Sequence, residues 1–323
     1  MNNVETYKKD FLNYLNSKIL VKEPLGLYQP IKYILEIGGK RLRPILTLMI
    51  CDLYGTNYNK AFDAALAIEV FHNFTLAHDD IMDNALIRRG KETVHEKWDV
   101  NTGILSGDAM LILAYQCFES FEPELYKKLM LLFNKTAMEV CEGQQWDIEF
   151  ENRNNVSISE YLKMITLKTS VLLASAMKMG AIIAKVNSNE LEAIYNFGLN
   201  LGIAFQLQDD YLDTFGNSKD FGKQIGGDIT ENKKTFLFLK TLEVAGDDEK
   251  SRLLNLYCSK KKSAQKIEEV TNIFKNNNIE QYTLNQIEFF TEKAFEYVND
   301  LNLPDEKKTT LKNFGISLMN RSV

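Results

Sequence analysis

The residues Leu66, Val70, Phe74, Ala77 and Ile81 recur at steps of four, four, three and four, which is the period of an α-helix and not the alternation of a strand. The period returns with Ile194, Gly198, Leu201, Phe205 and Leu212. These patterns predict helices over 61–83 and 191–213, and Gly198 and Gly202, one turn apart, would let a neighbouring helix come close. A third long apolar run, 161–184, is rich in small residues and carries Lys168 and Thr169 as polar exceptions in its interior.

Little interrupts this periodicity. Five prolines and 17 glycines in 323 residues favour long helices over turn-linked strands, so the expected fold is all-α. The polar loops expected at 151–157, 216–227 and 245–248 are short, and nothing has linker composition, which predicts a single domain over 1–323. A net charge of −6 gives no general basic field for nucleic acid, and Lys260, Lys261 and Lys262 read as a solvated face. Cys51, Cys117, Cys141 and Cys258 lack C-x-x-C spacing and lie in or beside apolar segments, so reduced, buried thiols are expected. The N-terminal decapeptide MNNVETYKKD has no apolar signal core, and no run approaches about 18 uninterrupted apolar residues. The expectation is a cytoplasmic protein without stable membrane insertion.

At the end of the first periodic stretch stands His78-Asp79-Asp80-Ile81-Met82-Asp83, and at the end of the second stands Gln208-Asp209-Asp210-Tyr211-Leu212-Asp213. Residues three and four apart share a helix face, so each trio presents its carboxylates to one side, where they repel unless cations neutralise them. Oxygen-only clusters suit a hard ion such as Mg²⁺, which takes one or two carboxylates and completes its shell with water and phosphate. One such motif alone reads better as a solvated helix end. The second copy, also following an apolar run, makes a metal site the stronger reading.

Phosphate calls for cations, and four places supply them. Gly38-Gly39-Lys40-Arg41-Leu42-Arg43-Pro44 stops one helix and starts another, with Pro44 expected at the first helical position, so its Lys and two Arg precede a helix N-terminus that itself favours anions. Arg88 and Arg89 follow the first acidic motif, Lys168 sits within an apolar helix where an ammonium needs an anion nearby, and Lys223 and Lys233 follow the second motif. For Lys223 and Lys233 an ordinary exposed loop lysine is an equal alternative. Acidic metal sites, separate cationic sites and greasy helices together suggest a protein handling two diphosphates with apolar tails.

In the order GGKRxRP loop, first aspartate-rich motif, Lys168-Thr169 pair, Phe205-Gln206-x-x-Asp209-Asp210 segment and second aspartate-rich motif, the chain resembles a trans-isoprenyl diphosphate synthase of the polyprenyl synthase family. The resemblance covers about 27–239. It implies ten or more helices around a central cavity, a homodimer, and condensation of isopentenyl diphosphate with dimethylallyl, geranyl or farnesyl diphosphate. It implies Asp79, Asp80, Asp83, Asp209, Asp210 and Asp213 as the Mg²⁺ set, holding up to three ions with substrate bound. It assigns Arg88, Lys168, Thr169, Gln206, Lys223 and Lys233 to the allylic diphosphate, and Lys40, Arg43, His72 and Arg89 to isopentenyl diphosphate. The implied reaction ionises the allylic diphosphate; the double bond of isopentenyl diphosphate attacks the cation, and the released diphosphate takes the proton.

His72 lies two turns before Asp79 on the same helical face, as a donor to diphosphate would, whereas His78 reads as a structural hydrogen-bond partner and His95 has no readable role. Phe74 and Thr75 lie about 7.5 and 6 Å along the helix from Asp79, where bulk would cap the space for a growing tail. An aromatic at 74 with Thr at 75, and no insertion in the motif, resembles enzymes that make the C20 product geranylgeranyl diphosphate, with C15 farnesyl diphosphate next. Phe74 as ordinary core packing is the alternative. A non-catalytic partner subunit of a heteromeric synthase and a class I terpene cyclase are the rival functions, although the former usually lacks one acidic motif and the latter uses a different second one. Glu92 stands where the family often has Pro, which puts the conformation of the loop after Arg89 in question.

Overall fold

The computed structural model describes residues 3–153, 155–216, 225–259 and 263–319. Among the described residues it is all-α apart from two two-residue strands, β1 (Ile87–Arg88) and β2 (Lys91–Glu92), paired antiparallel with Ile87 opposite Glu92. The chain divides into two compact units, Met1–Lys135 with Ser175–Glu192, and Thr136–Ala174 with Ala193–Val323.

In the first unit, α1 (Val4–Lys18), α2 (Leu25–Glu36), α3 (Leu42–Leu53) and α6 (Val100–Gln116) all pack on α4 (Phe62–Met82). Residues 64–71 of α4 are buried without exception, as befits a helix surrounded by others. The N-terminal helix is tied down by phenol–carboxylate hydrogen bonds: Tyr7 donates to Asp52 at 2.5 Å, Tyr58 to Asp10 at 2.8 Å, and Tyr14 to Asp63. A Cβ on Gly180 would lie 2.3 Å from the Thr47 carbonyl oxygen, and the Thr47 hydroxyl donates to the Ala176 carbonyl at 2.9 Å, so the small residues after 175 let that segment press on α3. The short α5 (Val94–Lys97) links the hairpin to α6.

The second unit begins within α7 (Pro123–Asn152), continues through α8 (Ile158–Ile165), a π-helical turn (Thr166–Ser170) and the first residues of α9 (Val171–Ile183), and resumes at Ala193 within α10 (Ser188–Phe215). A capping box opens α8: the Glu160 N–H donates to Ser157 Oγ and the Ser157 N–H to Glu160 Oε2. Then come α11 (Gly227–Thr230), α12 (Phe236–Val244), α13 (Asp247–Cys258), α14 (Ala264–Asn276), α15 (Ile279–Asn299) and α16 (Asp305–Met319). Phe150, Tyr161, Leu207, Phe236, Phe238 and Phe274 belong to one buried cluster, so the lysine- and asparagine-rich C-terminal third supplies core through stripes such as Val270, Ile273 and Phe274.

The predicted helices 61–83 and 191–213 are present with small boundary shifts. The run predicted over 161–184 is helical from Ile158 to Ile183 but wound as a π-turn at Lys168 and Thr169. By length and composition that run could cross a membrane, yet 72% of its apolar window is buried inside the protein. Pro44 is the third residue of α3 and not the first, because Leu42 and Arg43 already have helical geometry. The expected loop 245–248 shrinks to Ala245 and Gly246, α7 runs to Asn152, and most of the expected loop 216–227 lies outside the described residues. All four cysteines are free, but Cys141 and Cys258 are exposed, so burial holds only for Cys51 and in part for Cys117; Cys258 is the last residue of α13.

Candidate active site

The first acidic motif ends α4. Asp79 is half-buried, Asp80 is buried, and Asp83 is exposed as the C-cap, its N–H bonded to the Asp79 carbonyl at 2.9 Å. Arg88 Nε lies 2.8 Å from both Asp80 oxygens and Nη2 lies 2.6 Å from Oδ1, a forked pair that locks Asp80 and the guanidinium together. Arg89 and Gly90 turn the hairpin with φ of 50° and 74°, the two successive positive values a tight right-twisted hairpin requires. The Tyr33 hydroxyl donates to the Glu92 carbonyl at 2.8 Å, so the loop is held although no Pro stands there.

The basic loop Gly38–Arg43 lies against this hairpin. Arg89 donates to the Gly38 carbonyl, and a Cβ on Gly39, whose φ is 130°, would sit 2.6 Å from Arg89 Nη1. Lys40 is exposed. Arg41 departs from its expected role before a helix N-terminus: it is buried, in a left-handed conformation, ion-paired with buried Glu69 and donating to the Leu35 carbonyl. Its charge serves the core, and Asn73 also donates to Glu69 at 3.1 Å. Arg43 Nη1 lies 3.1 Å from His72 Nε2. Burial, and then the guanidiniums of Arg43, Arg89, Arg88 and Arg41, hold His72 well below the ordinary histidine range. His72 is therefore neutral, Nε2 accepts from Arg43, and the remaining N–H is on Nδ1.

Phe74 is half-buried between Phe71 and His78, with ring centroids 5.6 and 4.8 Å away, and the Thr75 hydroxyl donates to the His72 carbonyl at 2.8 Å. His78 is the structural partner expected, 3.1 Å from the Ile104 carbonyl and filling a notch that a Cβ on Gly107 would occupy.

The second motif lies at the C-terminal end of α10. Asp209 is half-buried; Asp210 and Asp213 are buried. Asp210 accepts from Tyr161 and, at 3.0 Å, from Gln206 Nε2, while Gln206 Oε1 accepts from Thr169 at 3.2 Å. Burial, with Asp228 nearby, pushes the Asp210 carboxyl well above the usual range despite those two donors. Asp213 accepts from the backbone N–H groups of Gly227 and Asp228 at 3.2 and 2.9 Å, so its carboxylate caps α11.

Lys168 Nζ lies 2.6 Å from Asp147 Oδ2, and Lys233 Nζ lies 3.5 Å from the same oxygen. Burial alone would raise the Asp147 carboxyl, but the two ammoniums outweigh it and hold it below the ordinary value. The expectation that Lys168 needs an anion is met by a residue the sequence did not single out: Asp147 lies 21 positions away on α7. Gly143, one turn earlier, makes the approach feasible, since a Cβ there would sit 2.3 Å from the Lys168 backbone nitrogen. Tyr161 was likewise missed, because nothing in the sequence marks one buried phenol among many. Lys223 lies outside the described residues.

The donor chemistry suits Mg²⁺. Both clusters are oxygen-only, and both sit at helix C-termini, where the dipole makes added negative charge more unfavourable and a cation more welcome. Asp210, buried beside a second carboxylate, is the group such a cation would return to its ionised form. Among the described residues no three His, Cys, Asp or Glu side chains converge as a ready-made cage.

The sequence model of the polyprenyl synthetase family matches residues 25–274. A geranylgeranyl diphosphate synthase of Sulfolobus acidocaldarius is 36% identical over 94% of this chain and 93% of that protein. A crystal structure of a geranylgeranyl pyrophosphate synthase superposes with a TM-score of 0.96 at 51% identity, covering 100% of both chains. Another, from Corynebacterium glutamicum and solved with isoprenyl diphosphate and magnesium, has a TM-score of 0.86 at 26% identity, covering 98% of this chain and 97% of that one.

Proposed function

The chain belongs to the polyprenyl synthetase family, and from that premise we propose that it is a short-chain prenyltransferase that extends allylic diphosphates with isopentenyl diphosphate to the C20 product geranylgeranyl diphosphate. The observation that carries this reading is the doubled acidic motif, each copy at the C-terminal end of a long helix and each in a unit that supplies cations of its own: Arg88 beside Asp80, and Lys168 and Lys233 on Asp147.

Asp79, Asp80, Asp83, Asp209, Asp210 and Asp213 are the residues assigned to Mg²⁺, up to three ions with substrate bound, and Asp80 and Asp213 serve chiefly by holding Arg88 and the α11 backbone. Bound Mg²⁺ supplies Lewis-acid polarisation of the leaving diphosphate. Arg88, Lys168, Lys223 and Lys233 bind that diphosphate and stabilise the charge it gains on leaving, with Thr169 and Gln206 orienting the lysine-bearing turn. Lys40, Arg43, Arg89 and the Nδ1–H of His72 bind isopentenyl diphosphate. The released diphosphate takes the proton lost from the adduct, so no catalytic histidine is needed. Phe74 limits product length, and Thr75, small and turned onto the His72 carbonyl, leaves room for C20.

The same proposal takes the chain as one domain, since α7, α9 and α10 each carry residues of both units. It takes the enzyme as a cytoplasmic homodimer, supported by exposed Ile104, Leu105 and Ile112 along α6 at 43, 60 and 59%.

The test is product analysis with Mg²⁺, isopentenyl diphosphate and separately dimethylallyl, geranyl or farnesyl diphosphate. A C20 product with each primer is expected. No elongation from any primer would overturn the reading in favour of a non-catalytic partner subunit, and a cyclic hydrocarbon from one allylic substrate alone would favour a cyclase. Phe74→Ala is expected to lengthen the products; an unchanged distribution returns Phe74 to ordinary packing.

A further inference from the structure

Three consecutive residues, Asn232, Lys233 and Lys234, follow α11, and each is fastened differently. Asn232 has a left-handed φ of 57°, and its Oδ1 accepts at 2.5 Å from the ammonium of Lys266, a buried lysine on α14 that also donates to the Ser259 carbonyl at 3.1 Å. Lys233 points its ammonium toward Asp147 and Glu151, at 3.5 and 3.8 Å. Lys234 donates to the carbonyls of Phe150 at 2.6 Å, of Glu151 at 3.3 Å, and of Arg153.

The last carbonyls of a helix have no partner within it, and they form the negative end of its dipole. Lys234 meets them on α7, the helix that carries Asp147 and Glu151. A flexible lysine stem such as that of Lys233 can take many rotamers, so the position of its ammonium depends on how its backbone is held relative to the carboxylates it faces. The neighbouring residue fixes that relation on one side, and Lys266, through Asn232, fixes it on the other. Neither Lys234 nor Lys266 is among the residues assigned to substrate.

We propose that Lys234 is a positioning residue for the reaction: by clamping the C-terminal end of α7 it sets where the Lys233 ammonium meets the allylic diphosphate. This rests on the reading of Lys233 as an allylic-diphosphate contact.

The experiment compares Lys234→Met, Lys234→Arg, Lys266→Met and Lys233→Met by steady-state kinetics with each substrate varied, alongside thermal melts. Lys234→Met is expected to raise the KM for the allylic diphosphate about tenfold, the scale on which a displaced contact is felt, and to leave the KM for isopentenyl diphosphate within about twofold. Lys234→Arg, which can still donate to several carbonyls, is expected to restore most of the loss. Lys266→Met acts from the other side and is expected to give the same selective rise, so it carries the test if Lys234→Met fails to fold. A lower melting temperature with both KM values unchanged, or with both raised equally, would overturn the role and leave a stabilising clamp. If Lys233→Met impairs allylic binding while Lys234→Met and Lys266→Met do not, the positioning role alone falls; if Lys233→Met is also silent, the reading of Lys233 falls with it.

Discussion

The two Asp-Asp-x-x-Asp motifs share a spacing and little else. In the first, the middle aspartate is buried on a guanidinium, and the last is exposed at the helix end. In the second, the middle aspartate is buried on a phenol and an amide, and the last is buried on backbone N–H groups. The cations differ in kind as well, one forked arginine, Arg88, on a hairpin against two lysines held by Asp147. Helical spacing thus guarantees only that three carboxylates share a face; which become ligands and which become struts is set by what packs against that face. Asp80 is paired with a guanidinium, whereas Asp210 is held among the described residues by the Tyr161 phenol and the Gln206 amide, both neutral.

The strongest challenge to this contrast is removal of the leading carboxylates, to which the proposed function gives the same role in both motifs. Asp79→Asn and Asp209→Asn are each expected to lower kcat by about 10²- to 10³-fold, the scale on which removing one transition-state electrostatic contact is felt, with unchanged circular dichroism. A small effect at either position would show that only one motif matters.

The middle aspartates should part company. Without Mg²⁺, Asp80→Asn leaves Arg88 without its partner and is expected to cost about 2–3 kcal/mol in chemical denaturation, somewhat below the range for fully buried pairs because a quarter of Arg88 is exposed. Asp210→Asn removes a buried carboxyl already biased toward its neutral form, and is expected to cost less than about 1 kcal/mol because neutral hydrogen bonds replace neutral hydrogen bonds. Equal costs would erase the distinction.

A smaller effect tests how the lysine half is built. Gly143→Ala would push a methyl into the Lys168 backbone and is expected to cost about 1–3 kcal/mol of stability while raising the KM for the allylic diphosphate. The smallest is a pH effect at the start of α8. Hydrogen bonds from the Ser157 N–H, Arg153 and the Ser157 hydroxyl lower the Glu160 carboxyl from 4.5 to about 2. A depressed carboxylate stabilises the fold above its ordinary value and loses that contribution as pH falls through 4.5 toward 2. Glu160→Gln should therefore flatten, slightly, the acid limb of a melting-temperature profile, and an unaltered limb would show that Glu160 contributes nothing there.

Much was legible in the sequence. Periodicity placed α4 and α10 nearly to their ends, the echo at Asp209 identified the second acidic cluster, and an ammonium at 168 demanded an anion. Local signals of this kind read well because a helix maps sequence spacing directly onto a face. Partners from other helices did not read: Asp147 for Lys168, Tyr161 for Asp210, Glu69 for Arg41 and the α7 carbonyls for Lys234 are separated by 21, 49, 28 and 83–84 positions. The π-turn at Lys168 was also hidden, since the run 161–184 is apolar or small on nearly every face and so has no stripe in which the phase shift of an extra residue would show.

By itself the sequence determined an all-α chain, its two carboxylate-bearing helix ends and the cations available to them, because those follow from period, charge and the scarcity of helix breakers. Only the tertiary structure decided which charges were committed inward, Arg41 to Glu69, Asp80 to Arg88 and Asp213 to the backbone. Burial makes an unpaired charge so costly that each must take the partner packing brings within reach, and that partner lies on another element of the fold.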